Sequence, residues 1–235
     1  MSDHHIASAF DRDLENIQAL IMRMGGLVEA ALADTAQALG DLDPTLADRV
    51  RKGDAEIDAL KERVNTETTR VIALRAPTAG DLRTVMTVFK ISGNLERCGD
   101  YAKNVAKRTQ TLAEMDGIPE TAGTIRRMMS EVSSMLRDAL DSYVRHDVDL
   151  ASSVILRDRD VDQTYNSVFR DLLTHMMEDP RNITAAMHLH FIAKNVERIG
   201  DHVTSIAEQT VYLVTGAMPN DDRPKQDKTA FVGEE

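Results

Sequence analysis

Residues recur in this chain at an interval of about a hundred positions, and that internal repeat restricts the fold more than any other feature. Asp54 and Asp58 return as Asp158 and Asp162, an interval of 104 residues. Glu96 and Asp100 return as Glu197 and Asp201, an interval of 101. Apolar positions repeat alongside them: Met24 with Met128, Leu32 with Leu136, and Leu46, Ala47 and Val50 with Leu150, Ala151 and Val154. Leu82 and Ile183 follow at the shorter interval, so a three-residue difference accumulates between the two copies before that point. A duplicated unit folds the same way twice, so the chain is expected to contain two copies of one supersecondary unit. The matching apolar positions are read as packing stripes facing a core.

The unit is helical. Aromatics are few (no Trp, 4 Tyr, 5 Phe), while Ala, Leu, Met, Glu and Arg abound, which favours helices over sheets. Breaks are sparse and far apart. Helix 1 is predicted from about Ala9 to Leu39, after a flexible start over 1–8. Asp43-Pro44 opens helix 2, with Asp as N-cap and Pro at the first helical position. That helix runs to about Leu74, before Ala76-Pro77. Thr78 to Asp81 has the form of a capping box with Asp in place of Glu, and opens helix 3 toward Leu112.

After a linker from Met115 to Pro119 the plan repeats. Helix 4 spans about Glu120–Arg145, helix 5 Val148–Met177 and helix 6 Ile183–Thr215; 217–235 reads as a disordered tail. Helices of ~30 residues are ~45 Å long, and short turns between them make antiparallel bundles. The predicted fold is all-α: two tandem, pseudo-symmetric three-helix bundles over 9–115 and 120–216. Gly25-Gly26 within helix 1 marks close helix packing or a kink. Met22, Met24, Met128 and Met129 are expected as core fillers.

Composition narrows the function. At 42% apolar and 29% charged residues a folded core is expected. A net charge of −11 argues against binding nucleic acid or an anionic membrane by bulk electrostatics. The single cysteine, Cys98, excludes an internal disulfide and a Cys-rich metal site, and suits a reducing cytoplasm. No apolar run approaches the ~18 residues of a membrane span, and Met1 to Ala9 lacks the pattern of a signal peptide.

The acidic pairs carry the chemistry. Within each pair the i, i+4 spacing puts both carboxylates on one helix face, where they repel. Asp54 and Asp58 lie about 20 positions before the turn near Ala76-Pro77, and Glu96 and Asp100 about 22 after it. Residues equally far from the turn of an antiparallel hairpin lie side by side. Asp158 and Asp162 match Glu197 and Asp201 in the same way about the turn near Pro180. Two sites of four carboxylates each are expected. Such a cluster holds a cation or takes up protons. Oxygen donors suit magnesium, manganese, calcium or ferric iron, and carboxylates also take zinc, though structural zinc sites usually add His or Cys.

Other residues are read more plainly. His202 directly follows Asp201 and could add a ligand, although Tyr101 replaces it in the first copy. Arg97 and Arg198 are expected to pair with neighbouring carboxylates. His188 and His190 do not share a helix face, and Asp34 and Asp138 are expected to be exposed.

With these residues in view, the chain resembles the PhoU family of phosphate-signalling regulators. Asn94-Leu95-Glu96-Arg97-Cys98-Gly99-Asp100 and Asn195-Val196-Glu197-Arg198-Ile199-Gly200-Asp201 are similar to its E-R-x-G-D signature in helices 3 and 6. Met22 to Glu29, Asp54 to Asp58, Pro77-Thr78 with Asp81-Leu82-Arg83, Val161 to Tyr165 and Met176 to Asp179 resemble its other landmarks. The resemblance covers roughly His5 to Gly216.

It implies two three-helix bundles, often forming a homodimer, and metal ions (iron, zinc, manganese or magnesium) held by Asp54, Asp58, Glu96, Asp100, Asp158, Asp162, Glu197 and Asp201. Cys98 stands where an apolar residue is common, and is read as a packed thiol. The resemblance also implies a non-enzymatic negative regulator of the phosphate-starvation response. Its partners would be the ATPase subunit of a phosphate ABC transporter and a sensor histidine kinase, with the membrane met only through them. Three rivals stay open: a helical-bundle metal-binding protein or enzyme with a carboxylate-bridged metal centre, a purely structural bundle that binds helices and whose carboxylates are merely solvated, and a structural adaptor for another transporter. The enzyme reading is weakened because no His has a Glu three residues before it, and no phosphate loop or nucleophile motif occurs.

Overall fold

The computed structural model describes residues 2–115 and 121–219, with side chains from residue 10 onward. Residues 116–120, which hold most of the expected linker and the expected start of helix 4 at Glu120, and the tail from 220 lie outside the described residues, as do the side chains of His4 and His5. Six long helices account for nearly all of it: α1 (Ser2–Asp41), α2 (Pro44–Arg75), α3 (Ala79–Leu112), α4 (Thr121–Arg145), α5 (Val148–Glu178) and α6 (Ile183–Thr215). A 3₁₀ turn, Pro180–Asn182, precedes α6, and no strand occurs among the described residues.

The helix boundaries follow from local chemistry. The Asp43 carboxylate accepts from the amides of Thr45 (2.8 Å) and Leu46 (3.1 Å), and Pro44 follows with its ring preset for a helix. Asp147 caps α5 in the same way through the Leu150 amide at 2.9 Å. The backbone repeats too, since Leu42 (φ 50) and His146 (φ 53) turn the chain into α2 and α5 through the left-handed region. Gly216 (φ 79) ends α6, where the absent Cβ removes the penalty of that conformation.

Two expectations about helix starts are corrected. The helix α1 begins at Ser2 rather than near Ala9, because no Pro or Gly interrupts the chain before Gly25. Thr78 does not form a capping box, for its side chain makes no cap hydrogen bond. The first helical residue, Ala79, is left-handed (φ 48), and the Thr78 carbonyl instead accepts from the Asp81 amide at 3.1 Å.

Within each half the three helices pack on one another, and the halves join through α3 against α6 and α1 against α4. The helices α3 and α6 run antiparallel: Lys90 meets Tyr212, Cys98 meets Ile199 and Arg108 meets Phe191. Equivalent residues Cys98 and Ile199 thus face each other where the two copies cross. The apolar stripes of all six helices merge into one core, from Ile17, Met24 and Leu32 through Leu95 and Val105 to Met128, Leu136, Val161 and Ile199. The two bundles therefore share their interior.

Gly25 accounts for the close approach of α1 to α4, since a Cβ there would stand 2.6 Å from Leu140 Cδ1. The neighbouring Gly26 has open space. Most repeated apolar positions are buried, Met24, Met128, Leu32 and Leu136 among them. Leu82 and Ile183 are not: they are 38% and 44% exposed. They sit in the first turns of α3 and α6, at the hairpin tips, so their repetition reflects a surface rather than the core. Asp34 and Asp138 are half-exposed but paired, with Arg49 (3.1 Å) and Arg157, each from the following helix.

Candidate functional site

The first acidic set is assembled by the α2–α3 hairpin. Ile57 and Leu60 on α2 and Leu95, Cys98 and Ala102 on α3 are buried and turn the two acidic faces toward each other. Gly99 makes this possible at close range: a Cβ there would lie 3.0 Å from Ile57 Cδ1 and 3.3 Å from Asp54 Oδ1. The second half repeats the arrangement, and a Cβ on Gly200 would lie 3.2 Å from Asp158 Oδ1 and 3.3 Å from Val161 Cγ1. The glycine between Glu-Arg and Asp in each signature is thus the point where the partner helix sets down its aspartate.

Burial differs across each set. Asp54 (4% exposed), Asp158 (8%) and Glu197 (5%) are deep, whereas Glu96, Asp100, Asp162 and Asp201 are half-buried and Asp58 is exposed. Asp58 titrates above the usual carboxylate range, through lost hydration first and then the charges of Asp54 and Asp100. Burial also raises the Glu197 carboxyl, against the opposing pull of Lys194.

Lysines enter both sets, and the spacing of the acids does not foretell them. Lys103 donates to Asp54 and lies 3.7 Å from Asp100, bridging α3 back to α2. Lys61 donates to Glu96 Oε1 at 2.9 Å, bridging the other way. In the second half Lys194 donates to Glu197 Oε1 at 3.0 Å from three residues earlier on the same helix, and rests 4.8 Å above the Tyr165 ring. Lys103 is held above the ordinary lysine range, by its hydrogen bond to Asp54 first. A spacing search for repeated acids passes over these lysines because none of them repeats.

The signature arginines behave as expected and alike. Arg97 lies 3.8 Å from Glu96 and 3.6 Å from Asp100; Arg198 lies 3.7 Å from Glu197 and 3.3 Å from Asp201. His202 turns to the interface between the halves, its Nδ1 2.8 Å from Asn94 Oδ1 and its ring stacked on Tyr101. Burial holds its pKa below the ordinary histidine value. His190 packs among Tyr165, Phe169 and Phe191. Cys98 is fully buried, and burial pushes its thiol pKa well up, as befits a packed thiol.

Does this donor set suit a metal ion? The donors are hard oxygens, and two buried ones, Asp54 Oδ1 and Glu197 Oε2, have no hydrogen-bond partner. Among the described residues, however, no three His, Cys, Asp or Glu side chains converge closely enough to hold an ion. The ammonium groups of Lys61, Lys103 and Lys194 already neutralise one carboxylate each. The oxygen donors are of a type that suits a hard cation, but among the described residues they are paired with lysines and arginines rather than gathered around one point.

The comparisons with known proteins agree with this fold. The PhoU domain model matches residues 21–109 and again 125–210, once per half. A protein of Rhizobium meliloti named phosphate-specific transport system accessory protein PhoU homolog is 44% identical over 234 residues, covering 99% of this chain and 98% of the relative. A relative of the same name from Zymomonas mobilis is 47% identical over 94% of this chain and 93% of its own length. Among solved structures, PhoU from Pseudomonas aeruginosa superposes with a TM-score of 0.87 at 40% identity, over 88% of this chain and 100% of that one. PhoU from Streptococcus pneumoniae superposes at 0.83 with 26% identity, over 90% of this chain and 99% of that one. The family comprises accessory and regulatory proteins rather than enzymes. A signature repeated in register, a helix hairpin built around each copy, and full-length similarity to such relatives lead to one conclusion: the chain belongs to the PhoU family.

Proposed function

We propose that this protein is the accessory regulator of a phosphate-specific transport system. In this reading it restrains the phosphate-starvation response when phosphate is plentiful and limits phosphate uptake. The observation that carries the reading is similarity along nearly the whole chain to relatives named for that system, with both signatures intact. The protein would act as a cytoplasmic adaptor, as a homodimer, between the transporter's ATPase subunit and a sensor histidine kinase. No helix among the described residues is long and apolar enough to cross a membrane, and in this reading the membrane is met through those partners.

The acidic sets give the adaptor its second property. Asp54, Asp58, Glu96 and Asp100 would hold one metal centre, and Asp158, Asp162, Glu197 and Asp201 another. Iron, zinc, manganese or magnesium would supply positive charge there. The carboxylates span two helices in each half, so loading would tie α2 to α3 and α5 to α6. The orphaned oxygens of Asp54 and Glu197 support this reading.

Two experiments test the function. Alkaline phosphatase activity in high phosphate should rise when the gene is deleted from its source bacterium and fall again on complementation. Unchanged activity in a strain whose response is inducible removes the repressor reading. Metal content per purified chain should then fall in Glu96→Gln with Asp100→Asn while helical circular dichroism is retained. Unaltered stoichiometry removes the first-half metal assignment.

A further inference from the structure

A cleft crosses the outer face of α3 where that helix lies between α2 and α6. Its volume is about 430 Å³, within the range of small-molecule sites. Gly93 opens it: a Cβ there would meet nothing within 4 Å, so the missing side chain leaves bare ground on the helix. Every other lining residue is polar or charged, and no aromatic ring is among them.

Lys90 and Arg97 stand three residues before and four after Gly93, so all three share one helix face. Their positions are ~10 Å apart along the axis. Lys90 makes no ion pair among the described residues, its ammonium lying 5.7 Å from the Tyr212 ring centre. Arg97 meets Glu96 and Asp100 only at 3.8 and 3.6 Å, which leaves guanidinium donors to spare. Lys61 enters from α2 but is taken up by Glu96 at 2.9 Å. The wall from α6 makes a different demand. Gln209 is 6% exposed, and its amide oxygen has no hydrogen-bond partner. A buried acceptor of that kind calls for a donor. The amide nitrogen is held only by Met218 Sδ at 3.8 Å, a weak acceptor, so the group is free to turn toward a ligand.

The duplication shows that the fold alone does not make this cleft. At the matching places the second half has Tyr165 for Lys61, Phe191 for Lys90 and Lys194 for Gly93. There Arg108, the counterpart of Gln209, lies over the Phe191 ring at 4.2 Å, and Lys194 lies over Tyr165 at 4.8 Å. Rings and cations occupy in one half the ground that Gly93 leaves open in the other.

We propose that the cleft over Gly93 binds a small phosphorylated polyol, its phosphate between Lys90 and Arg97 and a hydroxyl on the Gln209 amide. A phosphate monoester carries a charge of about −1.5 to −2 and three terminal oxygens, enough for both cations at once. A carboxylate offers one charge. The polyol hydroxyls answer Gln209 and the carboxylates of Glu96 and Glu208, which repel a bare anion. A nucleobase finds no ring to stack on. The site meets the first acidic set only through Glu96, Arg97 and Lys61 and requires no metal, so it stands or falls apart from the metal reading.

The test is isothermal titration calorimetry of the full chain with ribose 5-phosphate, glucose 6-phosphate and glycerol 3-phosphate, beside ribose and inorganic phosphate. At least one ester should bind at a single site with a Kd of about 0.1 mM. Ribose and inorganic phosphate should bind weaker by about tenfold or more. Lys90→Gln should weaken the ester about tenfold. Gly93→Gln sets a neutral side chain on the open ground and should abolish binding while α3 stays folded, since glutamine is the better helix former. Circular dichroism checks both variants; if one is unfolded, the other still reads the site. Unchanged affinity in a folded variant puts the ligand elsewhere and overturns the proposal. Inorganic phosphate binding as tightly as the esters shows an anion site only and overturns the polyol assignment. No binding of any ester at millimolar concentration overturns the proposal outright, and the metal reading keeps its own test in metal content per chain.

Discussion

Replacing Gly200 by alanine tests whether the signature glycine sets the spacing of α5 and α6. Two effects oppose each other. In a helix interior, alanine is favoured over glycine by about 1 kcal/mol, so a site with open space is stabilised. At Gly200 the new methyl would stand 3.2 Å from Asp158 Oδ1 and 3.3 Å from Val161 Cγ1. Both neighbours resist displacement, Val161 because its β-branched side chain is stiff at χ1 and Asp158 because it is a buried carboxylate. Overpacking of this kind costs about 1–3 kcal/mol. The net expectation is a loss of about 1 kcal/mol, against a gain of up to about 1 kcal/mol for Gly53→Ala, where nothing lies within 4 Å of a Cβ.

The assay is urea denaturation followed by far-ultraviolet circular dichroism at constant slope. The two midpoints should move in opposite directions, each by about 0.3–1 M for a slope of 1–3 kcal/mol/M. If Gly200→Ala raises the midpoint as Gly53→Ala does, close contact at the signature glycine is not what seats Asp158. The account of why that glycine stands beside the acids then fails.

Two further predictions concern parts of the molecule away from the metal reading. Asp13 joins α1 to the end of α2 through Arg70 (2.7 Å) and Arg75 (3.1 Å), and the Arg70 hydrogen bond is the largest cause holding its carboxyl below the usual aspartate range. A carboxylate with a depressed pKa stabilises the fold above its unfolded value and loses that effect as pH falls through its folded one. Asp13→Asn should therefore lower the melting temperature at pH 7, with the deficit beginning to shrink near about pH 4 and vanishing only below the lowered folded pKa of Asp13; a deficit that persists there refutes the ionic origin. Cys98 is buried with its thiol pKa pushed up, so the native protein should resist alkylation at pH 8 and react at once in denaturant. Rapid labelling of the folded chain would show that the α3–α6 interface opens.

The sequence by itself determined the helices and their duplication. Pro44 behind Asp43, the 104-residue echo of apolar positions and the long unbroken stretches are local signals, and helix formation obeys local rules. It also determined that α2 acids lie level with α3 acids, since distance from a turn is countable along the chain. Burial of the thiol was likewise legible, because Cys98 stands where the family it resembles commonly has an apolar residue.

What only the tertiary structure decided is which side chains answer the acids. Lys103 lies 49 residues from Asp54 and Lys61 lies 35 from Glu96, and no periodicity links them. The pairing of Asn94 with His202 spans 108 residues and depends on α3 meeting α6 antiparallel. Leu82 and Ile183 read as core by repetition yet lie at the hairpin tips, because a repeat preserves an environment without saying whether that environment is inside. Helical periodicity places a residue on a face; only packing decides what that face meets.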